Sequence, residues 1–194
     1  KVIDFSNVSK INDISVGIDF DYTPSSSHMV RFGGAFAHHK YAPEDIYTKT
    51  TDNIDGNRSE TYAPNVGRII RGEEMTAYIE DDMSISDWLY VIPGLRFSLF
   101  NVDGRCYSDL EPRLSVKVNA GKDISLRGAY SRMSQHVHQL VSGNLSLPTD
   151  LWVPVTADIP PVKSDIYTAG IAYGGLKGWE FSAEVYWRRL DNVL

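Results

Sequence analysis

The segment 179–188 constrains the fold of this chain more than any other part of the sequence. Apolar and polar residues alternate there over ten positions, and the apolar set begins and ends with tryptophan: Trp179, Phe181, Ala183, Val185 and Trp187. Successive side chains of a β-strand point to opposite faces, so the segment predicts a strand with one fully apolar face. Aromatic residues at both ends of a strand about ten residues long are typical of transmembrane β-barrels, because the rings suit the two membrane interfaces.

Seven further segments show the same period of two residues. They lie at residues 14–22, 30–37, 73–83, 88–100, 113–119, 124–131 and 166–173. Pro93 falls inside the fourth of them and predicts a bulge or a local break, since proline cannot donate to a strand ladder. We therefore predict an all-β fold, an antiparallel up-and-down meander of about eight strands that is part of a large transmembrane β-barrel.

The predicted connections between these strands alternate in length. Short turns fall at 23–28, 84–87, 120–122 and 174–178, whereas longer polar segments fall at 41–70, 102–110 and 133–164. Outer-membrane barrels have short periplasmic turns at one end and long extracellular loops at the other. The pattern therefore predicts that the three long segments face outward.

Composition narrows the possible classes and partners. The 194 residues are 42% hydrophobic with a net charge of −6, which fits a soluble protein or a barrel with a wet interior. No run of roughly 18 apolar residues occurs, so any membrane span must be made of strands. A single cysteine, Cys106, excludes an internal disulfide, and the acidic balance with scattered Lys and Arg argues against a nucleic-acid partner.

The polar face of the predicted strands leaves two architectures open. In a membrane barrel its charged side chains line the wet lumen, whereas in a lipocalin-like soluble carrier they face bulk solvent. The residues predicted to face the lumen are Glu80, Asp82, Arg96, Arg113, Arg127, Glu180 and Glu184. Aromatic strand ends and alternating connections favour the membrane barrel over the carrier, and a small structural outer-membrane barrel is a further alternative.

Candidate ligand-binding residues lie in the segment 133–164. Trp152 and Leu151 belong to an apolar, proline-rich stretch that is expected to pack on a neighbouring element or to line a ligand site at the barrel mouth. His136 and His138 would share a face of an extended strand, where they could bind a metal or a metal chelate, although histidines in polar loops are expected to be solvated. No metal site or cofactor is predicted. No catalytic motif occurs either, which argues against an enzyme.

Several short motifs together resemble one family. The sequence contains Tyr78-Ile79-Glu80 with Asp82, then Gly94-Leu95-Arg96, then Leu110-Glu111-Pro112-Arg113-Leu114-Ser115, and later the loop at 146–154. Their order resembles the barrel of TonB-dependent outer-membrane receptors. Two later segments, Tyr130-Ser131-Arg132-Met133-Ser134-Gln135 and the loop at 146–154, resemble the nutrient-uptake branch that often carries a carboxypeptidase-regulatory-like domain.

This resemblance implies an outer-membrane protein of a Gram-negative bacterium that takes up a nutrient such as a metal chelate, vitamin, peptide or glycan. Its expected partners are outer-membrane lipid, the nutrient, and the TonB energy-transducing complex acting through a plug domain. Such receptors have a barrel of about 22 strands. The sequence shows no plug and no energy-coupling box, so residues 1–194 are expected to be a partial barrel domain from the interior of a longer protein.

Overall fold

Almost all of the described chain is β-structure. The computed structural model describes the backbone of residues 2–54, 57–66, 69–141, 150–156 and 159–193, and side chains for 10–42, 69–138, 152–156 and 159–193. The strands within these residues are β1 (Val2–Ser25), β2 (His28–Ile54), β3 (Asn57–Val66), β4 (Ile70–Ser86), β5 (Leu89–Val102), β6 (Arg105–Asn119), β7 (Ile124–Gln135), β8 (Val137–Val141), β9 (Asp150–Pro154), β10 (Val162–Leu176) and β11 (Trp179–Asp191). None of the described residues forms a helix long and apolar enough to cross a membrane.

Eight of these strands form one antiparallel meander. Their order in the sheet is β1-β2-β4-β5-β6-β7-β10-β11, and β3 pairs with β2 beside this path. Each wall strand pairs with the next wall strand along the chain, which confirms the predicted all-β, up-and-down architecture. The remaining two strands, β8 and β9, form a separate antiparallel pair.

One predicted long connection is wrong. Residues 102–110 do not form a loop, because β5 and β6 are joined by a two-residue turn at Asp103 and Gly104. Both residues have positive φ, 49° and 77°, as the tight hairpin turns favoured by Asp-Gly require. The polar residues after the turn therefore belong to a wall strand, so the connections alternate less regularly than predicted.

The other two long connections contain strands of their own. β2 runs on to Ile54, and β3 returns beside it from Asn57, so much of the predicted loop 41–70 is a β-hairpin that extends the wall. The segment 133–164 contains β8 and β9, while residues 142–149 lie outside the described part. The wall strands are longer than the 9–11 or so residues that cross a bilayer. We call the end of the sheet with the turns at 26–27, 87–88, 120–123 and 177–178 the short-turn end. The opposite end, where β2 and β3 extend the wall, is the long-hairpin end, and the tight turn at 103–104 also lies there.

One face of the sheet is apolar and exposed across all eight wall strands. The register brings side chains of neighbouring strands into rows on this face, such as Phe20 with Phe32 and Phe32 with Ile79. Its exposed members include Val16, Ile18, Met75, Leu95, Phe97, Leu114, Leu126, Ile171, Phe181 and Val185. A soluble protein rarely exposes an apolar surface of this extent.

Aromatic clusters lie near both ends of this apolar face. Near the long-hairpin end, Tyr167 lies between Tyr130 and Trp187, with ring centroids 4.8 and 5.5 Å away. Near the short-turn end, Trp179 stacks on Phe181 at 6.1 Å. The two tryptophans are eight residues apart, which gives a height of roughly 20 Å for a strand tilted by about 40° and approaches the band of about 25 Å in membrane barrels.

Among the side chains that the structure describes, the opposite, polar face carries a small apolar core at the long-hairpin end. Tyr41, Phe100, Val102 and Val155 form it, and Ile70, Tyr107 and Val137 pack against it. The wall strands supply most of this cluster, whereas Val155 and Val137 come from the segment around β8 and β9. This segment therefore folds over the polar face and packs there, which is the structural alternative predicted for the apolar, proline-rich stretch.

Candidate functional site

The segment that covers the polar face is fixed by both backbone and side-chain contacts. We define the inserted segment as residues 136–141 and 150–156. Its two strands pair, with Val137 opposite Pro154, and Val155 N–H donates to the His136 carbonyl at 2.9 Å. The Tyr107 hydroxyl on β6 donates to the carbonyl of Thr156. Val155 is fully buried, so the segment is seated on the sheet by packing as well as by hydrogen bonds.

Charged and polar side chains lie together beneath and beside the inserted segment. We call this group the outer polar cluster: Asp13, His39, Glu74, Arg96, Ser98, Asp109, Glu111 and His136. Glu111 and Asp109 are 2% and 7% exposed, values that are unusual for carboxylates. Buried carboxylates require compensating partners, and the cluster supplies them.

The cluster contains a continuous chain of polar contacts. Arg96 lies between two carboxylates, 3.5 Å from Glu74 and 3.9 Å from Glu111. The Ser98 hydroxyl donates to Glu111 at 3.2 Å. His39 extends the chain, with Nε2 3.5 Å from Glu74 and Nδ1 2.8 Å from Asp13. These contacts join β1, β2, β4, β5 and β6 on the polar face.

His136 connects the inserted segment to this cluster. Its ring stacks on Phe100 with centroids 4.9 Å apart, and its Nε2 lies 3.5 Å from Asp109 Oδ2. Lys163 contacts the other oxygen of that carboxylate at 2.5 Å. Burial lowers the pKa of His136 below its ordinary 6.5, although the carboxylates of Glu74, Asp109 and Glu111 oppose this effect. The imidazole is therefore held mainly neutral at pH 7.

The predicted ligand-binding residues separate into two groups. His136 and His138 are 6% and 5% exposed, so the expectation that they are solvated is wrong. Their contacts within the described residues differ, since His136 Nε2 lies 3.5 Å from Asp109 and His138 Nε2 lies 3.1 Å from the Pro160 carbonyl. Trp152 is 38% exposed, and the backbone of Leu151 pairs with Leu140, although the Leu151 side chain lies outside the described residues. Among the described residues, no group of three or more His, Cys, Asp or Glu is arranged to hold a metal ion.

The seven residues predicted to face the lumen all lie on the polar face. The register places Glu80 opposite Arg31 and Arg127 opposite Lys117, and Glu180 and Glu184 alternate with the exposed apolar residues of β11. Two of them form ion pairs: Glu80 lies 3.0 Å from Arg31 Nε, and Arg96, a member of the outer polar cluster, lies 3.5 Å from Glu74.

Glycines on the polar face let side chains of the two flanking strands approach each other. Gly33 on β2 lies between Asp19 on β1 and Tyr78 on β4, and the Tyr78 hydroxyl donates to Asp19 at 2.8 Å across it. A Cβ at Gly33 would lie 2.4 Å from that carboxylate oxygen. Only glycine leaves room for this contact.

Sequence reasoning missed most of the outer polar cluster. The sequence pattern predicts a loop at Asp109 and predicts no site role for Glu74 or Glu111. The Asp103-Gly104 dipeptide between alternating segments was the available signal, since it predicts a hairpin whose second strand places Asp109 and Glu111 on one face.

Comparisons with known proteins agree with this architecture. The family model for the TonB dependent receptor-like β-barrel matches residues 4–194. The chain belongs to the TonB-dependent receptor family. TonB-dependent receptors are outer-membrane proteins of Gram-negative bacteria and are transporters rather than enzymes, so the predicted location and the argument against catalysis are confirmed. A comparison with curated protein sequences gave no match.

Solved structures show the same fold in other TonB-dependent receptors. The F5-1 variant of the FrpB iron transporter from Neisseria meningitidis, in its apoprotein form, is 16% identical with a TM-score of 0.64 over 96% of this chain and 30% of its own. The F3-3 variant is 16% identical with a TM-score of 0.62 over 96% and 29%. P. aeruginosa FpvA bound to heterologous pyoverdines is 13% identical, with a TM-score of 0.58 over 97% and 26%. This chain spans less than a third of the length of each.

Proposed function

We propose that this chain forms part of the barrel wall of a receptor that imports a nutrient across the outer membrane, with energy from the TonB complex. The observation that carries the proposal is the division of one sheet into an exposed apolar face and an ion-paired polar face partly covered by the inserted segment. An apolar face suits lipid, and a polar face suits a wet interior. Outer-membrane lipid and the nutrient are therefore the proposed direct partners.

The proposal assigns residues 1–194 to a partial barrel domain. Two observations support this assignment: the chain spans about 30% of FrpB, and among the described strands β1 and β11 each pair on one side only. Unpaired sheet edges are unfavourable in a membrane, where backbone groups need partners. The plug through which the TonB complex acts would belong to a part of the receptor outside these residues.

Within this proposal the charged residues of the polar face line the lumen. They are Glu80, Asp82, Arg96, Arg113, Arg127, Glu180 and Glu184. The inserted segment would lie at the outer mouth, where Trp152 is available to contact a nutrient and His136 and His138 hold the segment in place. The nutrient class stays open among metal chelates, vitamins, peptides and glycans.

Growth assays test this function directly. The gene that encodes the chain would be deleted, and growth measured with each nutrient class as the sole limiting source. We expect one class to fail in the deletion strain, recovery with the intact gene, and failure again when TonB is inactivated. Uptake of that nutrient without TonB, or unchanged growth with every class, would contradict the proposal.

A further inference from the structure

The polar face carries two cations directly opposite each other near the short-turn end. Lys117 on β6 pairs in register with Arg127 on β7. Like charges in directly opposite positions destabilise a sheet. Among the side chains that the structure describes, no carboxylate forms an ion pair with either of them, or with Arg113 on the same face.

These two cations line a cavity with further polar groups. The cavity measures about 330 Å³ and is lined by Tyr90, Ile92, Ser115, Val116, Lys117 and Arg127. The Lys117 ammonium lies 5.6 Å from the centre of the Tyr90 ring. Ser115 adds a hydroxyl group that can donate to an anion, whereas the Tyr90 hydroxyl donates to the Asp87 carbonyl at 3.4 Å. The lining therefore combines an ammonium, a guanidinium and a donating hydroxyl.

We propose that this cavity binds an oxyanion group, a carboxylate or a phosphate, which neutralises Lys117 and Arg127. An anion between two cations removes their repulsion and forms charge-assisted hydrogen bonds, with guanidinium geometry suited to two oxygens. The group can come from a solute in the lumen or from an acidic side chain of the receptor outside residues 1–194. The chemistry is the same in both cases, and the site is distinct from the outer polar cluster.

Glu184 is the charged neighbour that competes for Arg127. Both residues are opposite Gly170 in the register, on β7 and β11, so they are separated by two strand spacings, about 9.6 Å. Glu184 leans over Gly170, where its Cγ would lie 3.7 Å from an added Cβ. It forms no ion pair with Arg127 among the described contacts. Removing this carboxylate is therefore expected to strengthen anion binding.

Thermal unfolding of the full-length receptor in detergent tests the site. The unfolding temperature is measured with inorganic phosphate or acetate as the probe and is compared with the value in chloride at equal ionic strength. The variants are the double variant Lys117→Gln with Arg127→Gln, the conservative Lys117→Arg, and Glu184→Gln. Arg113→Gln is the matched control, because it removes a cation from the same face of β6 outside the cavity. A bound anion raises the unfolding temperature by an amount that grows with the logarithm of its concentration once that concentration exceeds the dissociation constant.

If a solute supplies the anion, phosphate or acetate raises the unfolding temperature of the wild type. The double variant then binds the probe at least roughly tenfold more weakly, whereas Arg113→Gln and Lys117→Arg keep the response and Glu184→Gln strengthens it.

If the receptor's own carboxylate occupies the site, the wild type does not respond, and the double variant unfolds at a lower temperature than Arg113→Gln. The proposal is overturned if the wild type does not respond and the double variant is as stable as the wild type or more so, because relief of repulsion would then be the only effect. These readouts do not depend on growth, so failure here is distinguishable from failure of the uptake proposal.

Discussion

Truncating Phe100 tests how the inserted segment is held. Phe100 is fully buried, stacks on His136 at 4.9 Å and belongs to the core cluster that contains Val155. Replacing a buried Phe by Ala costs about 3–5 kcal/mol in total, and the sheet shares part of this loss. We assign about 2 kcal/mol to the seating of the inserted segment, from the lost aromatic pair and the cavity beside Val155. That loss corresponds to about a thirtyfold increase in the population of the open state, in which the inserted segment is detached from the sheet.

Hydrogen exchange measures this opening directly. The Val155 N–H donates a hydrogen bond to the His136 carbonyl at 2.9 Å, so its exchange rate shows how often the inserted segment opens. In the full-length receptor, Phe100→Ala is expected to increase its exchange rate about thirtyfold, since exchange follows the population of the open state. Phe97→Ala is the matched control, because Phe97 lies on the same strand, on the exposed apolar face. Equal exchange in the wild type and Phe100→Ala, or a larger effect from Phe97→Ala, would refute the reasoning.

Two further predictions follow from the polar face. Burial lowers the pKa of His136 when the inserted segment is seated on the sheet, so below the ordinary pKa of 6.5 the open state binds more protons than the closed state. Protection of the inserted segment from hydrogen exchange is therefore expected to be full above about pH 6.5. It is expected to fall as the pH decreases from 6.5 towards the lowered pKa. His136→Phe keeps a stacked ring and is expected to abolish this dependence, and a dependence that persisted would assign it to another group. Gly33→Ala places a Cβ 2.4 Å from Asp19 Oδ1 and 2.5 Å from the Ile18 carbonyl, so it is expected to destabilise the receptor by about 1–3 kcal/mol in denaturant unfolding. Gly17→Ala is its control, since its Cβ would meet only ordinary contacts at 3.5 Å, and equal stability of the two variants would count against the crowding argument.

The wall of the sheet was predictable from the sequence, because a period of two is a local signal. Segments such as 14–22 and 179–188 carry their face assignment within a few residues, and the observed register keeps those faces aligned across neighbouring strands. The ends of the strands were harder to predict from the sequence. The predicted strand of alternating residues ends at residue 37, whereas the backbone ladder of β2 continues to Ile54.

The outer polar cluster could not be predicted because it depends on contacts between distant parts of the chain. His136 meets Phe100 and Asp109 only after the inserted segment folds over the sheet. Its burial follows from that packing, whereas the local sequence around it resembles an ordinary polar loop. The prediction that the apolar, proline-rich stretch packs on a neighbour was closer, since exposed apolar side chains are unfavourable wherever they lie.

The central claim is that one face of this sheet contacts lipid and the other faces a wet lumen. Single cysteines placed from 179 to 188 in a Cys106→Ser background, each carrying a fluorophore, test it in the full-length receptor in liposomes. Positions 179, 181, 183, 185 and 187 are expected to be quenched by lipid-borne quenchers, and positions 180, 182 and 184 by a water-soluble quencher. Equal quenching at odd and even positions, or the reverse pattern, would contradict the account.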